Sequence, residues 1–126
     1  MKRLLVILSI STLLFTGCKR GGENRIIGQY HLVQVYADPG DGNGYFTEVD
    51  SDKTLTFYAD GRVMCNGNMC VPTLSTDNPT SGVYSSDDLL IMSDDCSSTL
   101  RFQSFGDEII LEYTCIERCD HKYVRE

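Results

Sequence analysis

From Ile26 to the C-terminus, apolar residues alternate with polar ones in short runs and nowhere recur at the i, i+3, i+4, i+7 spacing of an amphipathic helix. Eight such runs stand out, at about 28–36, 53–58, 61–65, 81–85, 88–93, 97–103, 107–115 and 119–125. The clearest places Leu55 and Phe57 on one face, then turns at Asp60-Gly61 into Val63. Glycine supplies the positive φ that a tight hairpin turn requires. Ser104-Phe105-Gly106-Asp107 and Ser85-Ser86-Asp87-Asp88 read as two further turns. Strands joined at hairpin distance, with no crossover helix, predict an antiparallel meander. A meander of eight strands removes its exposed edges by closing on itself. The expected fold class is therefore all-β: an antiparallel, eight-stranded, up-and-down barrel. Tyr30, Leu32, Leu55, Phe57, Val63, Leu100, Phe102, Ile109, Leu111 and Tyr113 are the candidates for its inward face.

The start of the chain follows a different rule. Lys2 and Arg3 precede an apolar stretch from Leu4 to Phe15, too short to span a bilayer and suited to a signal-peptide core. It ends in Phe15-Thr16-Gly17-Cys18, which resembles the lipobox of bacterial lipoproteins. The resemblance implies cleavage before Cys18, lipidation of that cysteine and anchoring through acyl chains, which hold stably when two or more are present. Residues 1–17 are thus expected to be a lipoprotein signal peptide, 18–25 a lipidated cysteine with a flexible tether, and 26–126 the barrel domain. Lys19 follows Cys18 where the familiar inner-membrane retention signal has Asp. The expected location is the outer membrane, with the domain facing the periplasm.

Gly28-x-Tyr30-x-Leu32 is similar to the opening strand of lipocalin-like domains. Leu55-x-Phe57-x-x-Asp60-Gly61-x-Val63 is similar to the second hairpin of small lipocalin-like lipoproteins, and Tyr123-Val124-Arg125 to their closing strand. A META-type domain is the nearest alternative, because Cys65-Asn66 resembles part of its Gly-Cys-Asn turn. An eight-stranded barrel encloses just enough space to be filled by its own side chains or to hold one small ligand, and both readings stay open.

Strand alternation assigns the loops to two ends. The segments 37–52, 66–80, 94–96 and 116–118 share one end, and the tight turns share the other. Cys65, Cys70, Cys96, Cys115 and Cys119 all fall at or beside the first end, as do Asp120 and His121. In an exported chain such cysteines read first as disulfides. Cys65 can fold back onto Cys70. Cys96 comes opposite Cys115 across the last long hairpin, leaving Cys119 free; the competing pairing is Cys115 with Cys119, leaving Cys96 free. The same cysteines with His121 are the candidates for a soft-metal site, but Cys-x4-Cys and Cys-x3-Cys are looser than a zinc ribbon, and no metal is expected. Asp41-Gly42-Asn43-Gly44-Tyr45 begins like a calcium loop, yet Tyr45 occupies a ligand position.

Charge narrows the partners. From Ile26 onward six basic side chains stand against seventeen acidic ones, a formal net charge of −11. Such a surface repels phosphate backbones, so no nucleic acid is expected. No serine or cysteine accompanies His121 in a nucleophile motif, and Cys-x-x-Cys is absent. The expectation is a non-enzymatic, cofactor-free lipoprotein. It would bind a small hydrophobic ligand or an envelope protein at the barrel mouth. The alternative is an inhibitor or envelope-interaction protein acting through the 37–52 and 66–80 loops.

Overall fold

Nine short strands follow one another in the computed structural model, which describes residues 26–126. They are β1 (Gly28–Ala37), β2 (Tyr45–Glu48), β3 (Thr54–Phe57), β4 (Arg62–Cys65), β5 (Thr80–Ser85), β6 (Leu90–Met92), β7 (Leu100–Phe105), β8 (Glu108–Glu112) and β9 (His121–Arg125). The expected signal peptide, Cys18 and the tether lie outside the described residues.

Each strand from β3 to β8 pairs antiparallel with the next, and β1 pairs with both β3 and β9. The result is an eight-stranded, up-and-down, closed barrel with one extra strand. The extra strand is β2, inside the segment expected to be loop. It lies in line with β3 along the same edge of β1: β3 covers Gly28–His31 and β2 covers Gln34–Ala37.

All ten expected inward residues join the core or pack against it, together with Ile26, Cys65, Met69, Ile91 and Tyr123. The lower half is aromatic. The Phe57 ring meets Tyr30 and Tyr84 edge-on at 5.8 and 5.1 Å and Phe102 at 5.7 Å, arrangements that aromatic quadrupoles favour. Arg125 closes this end: its Nη1 donates to Ile27 O at 2.6 Å, its Nη2 to the Tyr30 hydroxyl at 2.6 Å, and its Nε to Asp107 Oδ1 at 3.0 Å. The turns here are tight. Gly61 and Gly106 take φ of 87° and 59°, values that a Cβ would penalise.

A bulge shapes the other half. Leu32 faces Tyr123 and Val35 faces His121, but the intervening register slips by one residue at Val33. Simple alternation from Leu32 would turn Gln34 inward. The bulge brings Val35 against the core instead and lets Gln34 and Tyr36 face outward.

Candidate functional site

The unusual residues gather at the end opposite Arg125, where segment 66–80 folds over the barrel as a lid. Met69, wholly buried, fills the space beneath it. The lid is held by its backbone. Thr80 Oγ1 donates to Gly67 O at 2.9 Å and accepts from Met69 N at 3.0 Å. Ser51 Oγ donates to Leu74 O at 2.7 Å. Asn66 bridges to the β3 approach, accepting from Thr54 N and donating to Asp52 O, both at 2.8 Å.

The central fastening is Lys53. It sits two residues before Leu55 on the inward face and is wholly buried. Its ammonium donates to Asn68 O at 2.6 Å and Thr73 O at 2.7 Å, drawing two turns of the lid onto one side chain. Burial pulls its pKa below the usual lysine value, and the nearby Cys65 acts weakly the other way. Among the described residues no carboxylate pairs with it.

Around Lys53 stand four more polar side chains. Cys65 is buried and unbridged, and its sulfur accepts from Gly67 N at 3.4 Å. Burial pushes its thiol up, against smaller effects of that amide and of Lys53. His121 is buried, its ring edge-on to Tyr113 at 5.1 Å. Burial first, and the Lys53 charge second, bring its pKa down to about 4. The hydroxyls of Tyr113 and Tyr123 are close enough to perturb one another, and burial drives both pKa values up. Neither hydroxyl, nor His121 Nδ1, reaches a hydrogen-bond partner of good geometry.

The cysteines correct the expected pairing. Cys70 is bonded to Cys96, with Cα atoms 5.1 Å apart, and Cys115 to Cys119, with Cα atoms 6.1 Å apart. The competing Cys115–Cys119 pairing is therefore the one present. Cys65 pairs with nothing, because it points into the core beside Val63 while Cys70 lies on the lid. Cys96 reaches the lid and not Cys115. In the chain-entropy account the 26-residue separation of Cys70 and Cys96 contributes about 3–4 kcal/mol, and the short Cys115–Cys119 ring about 2. Alkylation of the denatured, unreduced chain followed by peptide mapping should label Cys65 alone among the five. Labelling of Cys70 or Cys96 would break this assignment.

The carboxylates of 37–52 serve the backbone. Asp38 Oδ1 accepts from the amides of Gly40 and Gly42 at 2.9 and 3.2 Å, and Asp41 Oδ1 from Asn43 N at 2.9 Å. Asp120 is buried and paired with Arg118. Arg118 also lies over the Tyr36 ring at 4.4 Å, and Lys122 over Phe46 at 4.4 Å. The Cys115–Cys119 ring leaves Ile116 fully exposed.

Gly67 is where the two ends of the lid approach each other closely. A Cβ there would stand 2.3 Å from Ser75 O and 3.1 Å from Thr76 Cα, both backbone atoms with little freedom to give way. Gly67→Ala should therefore lower stability in urea denaturation by about 1–3 kcal/mol, the usual range for overpacking. Faster amide exchange should accompany it in 66–80, with the β7–β8 hairpin unaffected. Uniform exchange changes would show that the lid is not a separate unit.

Lys53 and Tyr123 were not among the expected site residues. The signal for Lys53 was present: Lys53-x-Leu55-x-Phe57 continues the inward alternation to a lysine. Compared with protein-family models, with curated proteins and with solved structures, the chain matches none.

Proposed function

We propose that this chain is a lipid-anchored, non-enzymatic lipoprotein that presents the lidded end of its barrel to a protein of the cell envelope. The observation that carries the reading is the closure of that end: residues 66–80 fold over it, with the Met69 side chain wholly buried and Lys53 wholly buried against Asn68 O and Thr73 O. What this end offers outward is a set of apolar side chains among exposed carboxylates such as Asp41, Glu48, Asp77 and Glu117. Val71 and Leu74 on the lid, Tyr45 at the start of β2 and Ile116 on its disulfide ring are all exposed. Two disulfides and the Lys53 fastening hold these loops in shape, so little ordering entropy is lost when a partner docks. Anchoring through Cys18 in the outer membrane, with the domain in the periplasm, belongs to the same proposal.

The test is crosslinking in intact envelope with the full-length chain. A photoreactive residue replaces Leu74 or Ile116 at the lidded end, or Phe105, an exposed residue at the opposite end, as the control. One discrete adduct from both lidded-end positions, absent at Phe105, is expected. The same adducts from every position, or native mass spectrometry finding an apolar ligand carried inside the barrel, would overturn the reading.

A further inference from the structure

We propose that the upper barrel interior is a binding site for a small monovalent anion of chloride or formate size, held between Lys53, Tyr113, Tyr123 and His121. The first ground is charge. Lys53 is wholly buried, and its ammonium meets two neutral carbonyls and, among the described residues, no carboxylate. A buried ion is ordinarily paired, because desolvation leaves a penalty that neutral partners only partly offset.

The second ground is independent of charge. Three polar atoms in the same cluster, Tyr113 Oη, Tyr123 Oη and His121 Nδ1, are buried without a well-formed hydrogen bond, the two hydroxyls having only each other within reach. Buried polar groups in folded proteins are rarely left so. They converge from neighbouring parts of the wall: Lys53 precedes β3, Cys65 ends β4, Tyr113 follows β8, and His121 and Tyr123 lie on β9.

Donors predominate here. An ammonium carries three N–H groups, two of which are used, and the tyrosine pair brings two O–H groups, at least one of them left over when the hydroxyls meet each other. Such a set suits an acceptor-only ligand with one negative charge. Water would satisfy the hydroxyls but leave the Lys53 charge uncompensated. The Cys65 thiol does not compensate it either, since burial keeps the thiol protonated. The sealed surroundings restrict the ligand to a few atoms: Leu32 and Met69 beside the cluster are both wholly buried.

The probe is chloride against gluconate, which is too large to enter, at constant ionic strength and with the full-length chain in detergent. Chloride should raise the melting temperature saturably, and gluconate should not. Tyr123→Phe should weaken the chloride midpoint about tenfold, the effect of losing one hydrogen bond to a charged partner. Lys53→Met should abolish the response. Crystals grown in bromide should show an anomalous peak beside Lys53 Nζ. Identical melting in both salts with no bromide peak would overturn the proposal in favour of hydration alone. So would a chloride response left intact by Tyr123→Phe, a variant that decides the matter even where Lys53→Met does not fold.

Discussion

Lys53→Met is expected to destabilise the protein by about 2–4 kcal/mol, through two opposing terms. Removing the side chain's charge relieves an ammonium buried without an ion pair. Against that, Asn68 O and Thr73 O lose a charged donor each, a type of bond that contributes about 1.5–3 kcal/mol. When an entire buried ionic network is replaced by apolar residues the exchange is often neutral. Here one side is replaced and both carbonyls stay behind, so the loss should win. The lid should respond first. Amides of 66–80 should exchange faster than those of β7 and β8 at denaturant concentrations well below the global transition. Lys53→Arg should not rescue it, because the larger planar head group enters a fully enclosed position. An unchanged urea midpoint for Lys53→Met would mean that the ammonium contributes nothing net and that the Cys70–Cys96 bridge and the Thr80, Ser51 and Asn66 hydrogen bonds hold the lid without it.

The barrel was legible because an antiparallel sheet with one buried face imposes a two-residue period on the sequence. Tyr30/Leu32, Leu55/Phe57 and Leu100/Phe102 could not sit otherwise without exposing the core. β2 was not legible for the converse reason. Tyr45, Thr47 and Glu48 are all exposed, so the strand has no buried face and its sequence carries no alternation of core and solvent. It exists because β3 stops pairing at His31 and leaves that edge of the upper half of β1 open, the other edge being taken by β9. The bulge at Val33 was hidden too, since its only trace is that Val35, not Gln34, is apolar.

The disulfide pairing failed on a similar point. Cys65 and Cys70 are close in sequence, but Cys65 shares a face with Val63 and is committed to the interior by the alternation that identified the strand. Only the path of the lid brings Cys70 to Cys96, and lid paths are set by tertiary contacts such as those of Lys53 and Thr80. The buried polar cluster needed the same information. Lys53, His121 and Tyr123 each read as a strand residue; only barrel closure through β1 and β9 places them side by side.

Acid is expected to destabilise the protein through His121 before most carboxylates titrate. The imidazole ionises near pH 6.5 when the chain is unfolded, and at about 4 in the folded state. Between those values the unfolded chain binds the proton and the folded chain does not, so stability falls as pH falls through this window. A difference of this size corresponds to about 3 kcal/mol, fully lost once the pH is below 4. The cause is local. The ring is buried beside Tyr113 and near the Lys53 ammonium, so a second cation there is opposed both by desolvation and by like charge. Urea denaturation at pH 7 and at pH 4.5, in gluconate buffer free of small anions, should show most of this loss for the native sequence. In His121→Gln, which stays neutral at both, the loss should shrink by about 2–3 kcal/mol even though the variant starts from lower stability. Parallel pH profiles for the two proteins would show that His121 is hydrated or ion-paired in solution, and that acid acts on the barrel through its carboxylates instead.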